Sequence, residues 1–203
     1  MYSVYRTCTL CKDAHNPNFG VVGKNYESSR IMFILHHSDS RVLSSQLSLS
    51  FDHEVSNVDI NYSNALHQSD TGRVINWLLK SCRDLRRKTE FNHNLTWDDI
   101  YVTNFFKCLL PEDREPKKEE YNSCANVMRS QIISASPRKI VAFGNKTLEN
   151  MFPKLSLENT LSLNITLYEN IPVLLSPHPR RIHDQKDAET LRYLREIRDF
   201  IVS

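Results

Sequence analysis

Ile31-Met32-Phe33-Ile34-Leu35-His36-His37-Ser38-Asp39 is an apolar run that stops abruptly in a polar turn. Successive side chains of a strand point to opposite faces, so a strand wetted on one side alternates. An unbroken apolar run of strand length fits a strand covered on both faces, as in a parallel sheet. Ile100 to Phe106, Lys139 to Phe143, Leu163 to Tyr168 and Val173 to Leu175 read as further strands. Between them lie segments of helical period. Thr71 to Lys88 places Val74, Trp77, Leu78, Cys82 and Leu85 on one side, with Arg73, Lys80, Arg83, Arg86, Arg87 and Lys88 on the other. A helix starts near Pro116, suited to the first helical position, with Tyr121, Cys124, Val127, Met128, Gln131 and Ile132 inside. Helices are also expected at about Lys146 to Met151 and Asp187 to Val202, the latter with Leu191, Leu194, Ile197 and Ile201 inward. Strands alternating with helices imply an α/β fold, a three-layer α/β/α sandwich around a mainly parallel sheet. Ligands of such folds sit beyond the carboxyl ends of the strands. Here that edge collects His36 to Asp39, Asn104 to Cys108, Gly144 and Ser176 to Arg181.

The 203 residues suit a single domain, 1–203, with a serine-rich insertion at about 40–70 in which no period is visible. Hydrophobic residues at 40% and charged residues at 25% describe an ordinary globular chain. No apolar run approaches the roughly 18 residues of a spanning helix, and Met1 to Lys12 lacks a secretory pattern. Cytoplasmic residence, no membrane partner and a monomer are the expectations. A net charge of +2 does not announce a nucleic-acid binder, so any such claim must come from local clustering. The chain has four glycines, Gly20, Gly23, Gly72 and Gly144, too few and too scattered for a phosphate loop or dinucleotide fingerprint. No nucleotide cofactor is expected.

Five cysteines form an odd set, which argues against a disulfide framework and for metal ligation or buried thiols. Cys8-x2-Cys11 and Cys108-x15-Cys124 are the ligand candidates, and zinc is the commonest occupant of a four-thiolate site. Unrelated buried thiols remain open at this point. Cys82 sits on the inner stripe of its helix and reads as core.

Tyr101-Val102-Thr103-Asn104-Phe105-Phe106-Lys107-Cys108, followed by Pro111, Arg114, Pro116, Glu119 or Glu120 and Cys124, closely resembles the second motif of the iron-sulfur (family-four) uracil-DNA glycosylases. Pro137 to Gly144 resembles the strand that follows it, and His178-Pro179 the family's C-terminal histidine-proline motif. The resemblance implies the uracil-DNA glycosylase fold, DNA as partner, and a [4Fe-4S] cluster on Cys8, Cys11, Cys108 and Cys124 that pins the N-terminal loop. It implies that Asn104 reads the base and that His178 stabilises the departing pyrimidine anion. It also implies that Arg180, Arg181 and Ile182 enter the minor groove, the arginines on phosphates and Ile182 as an apolar wedge. Lys107 and the basic helix face are weaker candidates for backbone contact.

Base excision chemistry asks for these residue types. A base inside a duplex is extruded and read on its Watson-Crick edge, and an amide offers both a donor and an acceptor there. Without the surrounding motif, Asn104 reads as an asparagine ending a strand and His178 as a surface residue, and the arginine pair is equally a solvated charge pair. The first family motif is glycine, glutamate, any residue, proline, glycine, and this chain has Leu35-His36-His37-Ser38-Asp39 instead. Asp39 is the carboxylate of the turn, suited to steadying a cationic sugar or orienting water, with His36 or His37 as a substitute base. His67 stands where the family stacks a phenylalanine on uracil, if Gly72 opens the next helix. The expectation is a monofunctional DNA glycosylase that excises a modified pyrimidine, a 5-substituted or glucosylated cytosine of phage DNA, in antiphage defence. Ordinary uracil repair is the runner-up, and a noncatalytic DNA-binding module or a zinc-only structural protein are the rivals.

Overall fold

A computed structural model describes residues 15–17, 30–37, 69–83, 95–110, 114–153, 165–184 and 188–203. Cys8, Cys11, Asp39, His67, the insertion up to residue 68, and Leu85 to Lys88 lie outside the described residues. In chain order the elements are β1 (His15–Pro17), β2 (Ile31–Leu35), α1 (Asp70–Arg83), β3 (Ile100–Asn104), β4 (Cys108–Leu109), α2 (Lys118–Ala135), β5 (Lys139–Phe143), α3 (Asn145–Met151), β6 (Ile165–Tyr168), β7 (Ile171–Ser176), α4 (Pro179–Asp184) and α5 (Ala188–Val202).

The main sheet has the order β3-β2-β5-β7-β6. Its β3-β2, β2-β5 and β5-β7 ladders are parallel, and β6 closes one edge antiparallel to β7. The β6-β7 turn uses Glu169 and Asn170, with φ of 49° and 66°, the paired left-handed conformation that matches strand twist in a two-residue hairpin. All five residues of β2 are buried, as its unbroken apolar run requires. Ile31, Phe33 and Leu35 pack with α1, α4 and α5, while Met32 and Ile34 pack with α2 and α3. The period of two along one strand thus divides the core into two layers, and the α/β/α sandwich follows.

Local chemistry sets the helix boundaries. Ser69 opens α1, its side-chain oxygen accepting from the Gly72 amide at 3.1 Å and its carbonyl from Arg73 at 2.9 Å. The inner face of α1 is Val74, Ile75, Leu78, Leu79 and Cys82. Trp77, expected inside, is 40% exposed because it lies about 100° around the helix from Leu78. Leu191, in the first turn of α5, is also exposed. Pro116 precedes the first helical residue of α2 by two positions instead of occupying it. There the carboxylate of Glu120 accepts the Lys117 amide at 2.6 Å and clasps Arg114 through both oxygens at 2.8 and 2.6 Å. Cys108, expected to end β3, instead opens β4, which pairs antiparallel with β1 so that Pro17 faces Cys108.

Candidate active site

The parallel register aligns the strand ends that carry the chemistry. Leu35 stands opposite Asn104, and Phe143 opposite Ser176. Beyond them the Phe105 amide bonds the Leu35 carbonyl at 2.7 Å, the Phe106 amide bonds that of His36 at 3.0 Å, and the Gly144 amide bonds that of Ser176 at 2.8 Å. Asn104 leaves β3, His36 and His37 leave β2, Gly144 leaves β5 and His178 follows β7, all at one edge of the sheet. Because β2 and β5 separate β3 from β7, three interstrand steps of about 4.8 Å put roughly 14 Å between the outer two strand ends. That span suits a flat ring held between two side chains.

His178 is held in one tautomer. The backbone amide of Arg180 donates to its Nδ1 at 3.2 Å, which leaves Nε2 to carry the proton. Burial, then the nearby His37 and Arg180, lower its pKa below the ordinary histidine value, so the ring is neutral at pH 7. Gly144 lies against it. A Cβ at that position would make ordinary contacts, 3.4 Å from His178 Cβ and 3.5 Å from its Cδ2, and it is the φ of +86° that calls for glycine.

Asn104 is buried at 1% exposure. Its carbonyl accepts from Lys107 Nζ, which also donates to Thr103 Oγ1 at 2.8 Å and approaches Met128 Sδ at 3.5 Å. Burial drives the Lys107 pKa down to about 7, against the opposing influence of Cys124 and Cys108. Lys107 is 2% exposed, so it is no phosphate contact as expected; its stem packs into the core and its nitrogen is spent on the end of β3. Ile182 is a second correction. It lies on α4 at 0% exposure, inside the core layer of α1 and α5, and cannot act as a wedge between bases. The three residues between His178 and Ile182 close a helical turn, with the Ile182 amide on the His178 carbonyl at 3.2 Å, and that turn points Ile182 inward. Arg180 and Arg181 are exposed on the same short helix.

His36 is drawn toward α2. Its Nε2 is hydrogen-bonded to the Tyr121 hydroxyl, and its ring stacks on that of Tyr121 with centroids 5.6 Å apart. Burial, then His37, His178 and Lys146, hold its pKa down at about 3, so His36 is neutral at pH 7. His37 lies edge-on to His36 at 4.5 Å. The Glu115 carboxylate reaches His36 Nε2 at 3.8 Å and His37 Nε2 at 3.9 Å. Among the described residues, His36, His37 and Glu115 offer ligand atoms all within 4.8 Å of one another. Glu115 and Tyr121 escaped the sequence reading: one stands before a proline without any motif of its own, and the other reads as a core residue of α2.

Cys108 and Cys124 are buried thiols in the core layer of α2 and both act on Lys107. Cys82 belongs to the opposite layer, where burial pushes its thiol up to about 11. Their placement on different faces of the sheet separates Cys82 from the other two.

Residues 23–201 match the model of the uracil DNA glycosylase superfamily. The chain belongs to that superfamily. Its similarity to curated members is concentrated in short stretches. Type-4 uracil-DNA glycosylase of Saccharolobus solfataricus is 30% identical over 64 residues, 32% of this chain and 30% of that protein. The type-4 enzyme of Archaeoglobus fulgidus is 33% identical over 63 residues, 31% of this chain and 32% of its own. That of Sulfurisphaera tokodaii is 27% identical over 92 residues, 45% of this chain and 37% of its own. The matched stretches span about a third of these relatives. In this superfamily member the carboxyl edge that gathers Asn104, Gly144 and His178 is therefore the place to look for chemistry. No helix among the described residues is long and apolar enough to cross a membrane.

Proposed function

We propose that this protein is a monofunctional DNA glycosylase that hydrolyses the N-glycosidic bond of a pyrimidine flipped out of DNA and leaves an abasic site. The observation that carries the reading is the fixed tautomer of His178, whose protonated Nε2 belongs to the same strand-end edge as the buried amide of Asn104. Asn104 reads the Watson-Crick edge. As the C1′–N1 bond breaks, its electron pair passes to the base, and the Nε2 proton of His178 hydrogen-bonds the O2 that gains charge. One preorganised donor of this kind contributes about 3 to 4 kcal/mol. A neutral imidazole suits the task, since it donates without surrendering its proton. Water adds to C1′ and gives up its proton to a group of the first-motif turn. Asp39 and His37 are the candidates there, because the Nε2 of His36 is already engaged by Tyr121. Arg180 and Arg181, exposed on α4, hold phosphates.

The preferred base is a modified cytosine, 5-substituted or glucosylated, of the kind phages carry, and the role is antiphage defence. Support comes from the His36-His37 pair in place of a glycine-lined turn, and from an amide at 104 that presents either face to the base edge. Uracil excision is the second reading, favoured by the type-4 uracil-DNA glycosylases among the relatives. A [4Fe-4S] cluster on Cys8, Cys11, Cys108 and Cys124 fits the residues present. Cys108 and Cys124 share one buried layer, and the pairing of Pro17 with Cys108 brings the chain back beside the thiols. Three residues of sequence separate Cys11 from His15, the first residue of β1. The cluster would fasten the N-terminal segment to β4 and α2.

The deciding experiment incubates the protein with DNA containing uracil, hydroxymethylcytosine or glucosylated hydroxymethylcytosine and identifies released bases by mass spectrometry. Release of the modified cytosine is expected. Release of uracil alone overturns the substrate assignment, and no release from any DNA, with binding retained, returns the protein to a noncatalytic module.

A further inference from the structure

We propose that His36, His37 and Glu115 form a binding site for a divalent transition cation of the zinc class, at the carboxyl edge of the sheet and with none of the cysteines as ligand. This goes beyond the glycosylase reading and does not depend on it. The three side chains come from two places, the end of β2 and the segment that leads into α2, and the fold brings their donor atoms within 4.8 Å. The carboxylate stands 3.8 and 3.9 Å from the two Nε2 atoms. Those distances are too long for hydrogen bonds. They lie near the roughly 3.3 Å separating two ligands on a tetrahedral ion with bonds of about 2.0 Å. Small side-chain rotations close the difference.

The donor set suits the ion. Two imidazoles and one carboxylate form a neutral-nitrogen and oxygen set typical of zinc sites that keep a position open for water. The Tyr121 hydroxyl, which now bonds His36, also reaches Glu115 and keeps an acceptor when the imidazole turns to the ion. Hydrogen bonding from the phenol then holds the carboxylate in place.

The test uses full-length protein purified without oxygen, with its iron retained, and Zn2+ as the probe. Competition against a chromophoric chelator measures affinity, and X-ray absorption at the zinc edge reads the ligand atoms. One equivalent of zinc is expected, with nitrogen and oxygen neighbours at about 2.0 to 2.1 Å and no sulfur near about 2.3 Å. Glu115→Gln and His37→Gln each weaken binding by at least about tenfold. Glu115 is 66% exposed, so its variant folds as the parent does. Sulfur in the zinc shell, unchanged affinity in both variants, or absence of stoichiometric binding would each overturn the site.

Discussion

The backbone amide of Arg180 donates to Nδ1 of His178, and that one bond decides which nitrogen of the ring carries the proton. Two residues apart in sequence, they are tied by the first turn of α4, which begins directly after the histidine. A loop histidine free to exchange tautomers would offer a donor only part of the time.

Replacing His178 with Ala is expected to slow single-turnover base release by roughly 10²- to 10³-fold, the range for one lost oxyanion donor. The melting temperature stays close to the parent because the ring caps no core layer. Equal rates for parent and variant would remove the assignment.

Gly144→Ala tests the same imidazole from behind. The φ of +86° disfavours any Cβ, while that Cβ would itself meet His178 at 3.4 Å, an ordinary contact. The variant should lose about 1 kcal/mol or more in urea unfolding and release base more slowly.

Acid stability carries a signature of the Arg114-Glu120 pair. Hydrogen bonding from Arg114 leads the effects that hold the Glu120 pKa below its ordinary 4.5, in spite of burial. A carboxyl depressed in the folded state contributes stability above its unfolded pKa and loses it as pH falls through the folded value. The urea midpoint of Glu120→Gln should therefore lie below the parent's at pH 7, and the gap should narrow below about pH 4.5. A gap that is constant with pH would contradict the ion pair.

Ile182→Ala and the arginine variants should part company. Loss of a fully buried isoleucine costs about 2 to 5 kcal/mol of stability with the salt dependence of DNA binding unchanged. Arg180→Ala and Arg181→Ala should each lower the slope of log affinity against log salt by about 1, with stability close to the parent's. Salt-titrated binding together with urea melts reads both.

Cys124→Ser should lose iron and visible absorbance together with thermal stability, whereas Cys82→Ser should keep its iron. Iron content per chain measured after anaerobic purification checks both, and iron lost from Cys82→Ser alone would reassign the ligands.

Periodicity and composition alone carried the class of the fold. An unbroken apolar run such as Ile31 to Leu35 has few uses other than a doubly covered strand, and the rule that ligands gather at carboxyl strand ends located Asn104, Gly144 and His178 in advance. Facing direction was legible along α2, whose inner stripe from Tyr121 to Ile132 is buried as read, but not in the short segments at the strand ends, where it depends on which surface each turn of chain happens to meet. Ile182 sits next to two exposed arginines in sequence yet closes a core layer, and Lys107 ends a strand motif yet spends its charge inside the protein. Only the packed structure could bring Glu115 and Tyr121 to His36, across 79 and 85 residues of chain. Such a meeting is made by the crossover of a helix onto the sheet, and no local pattern encodes it.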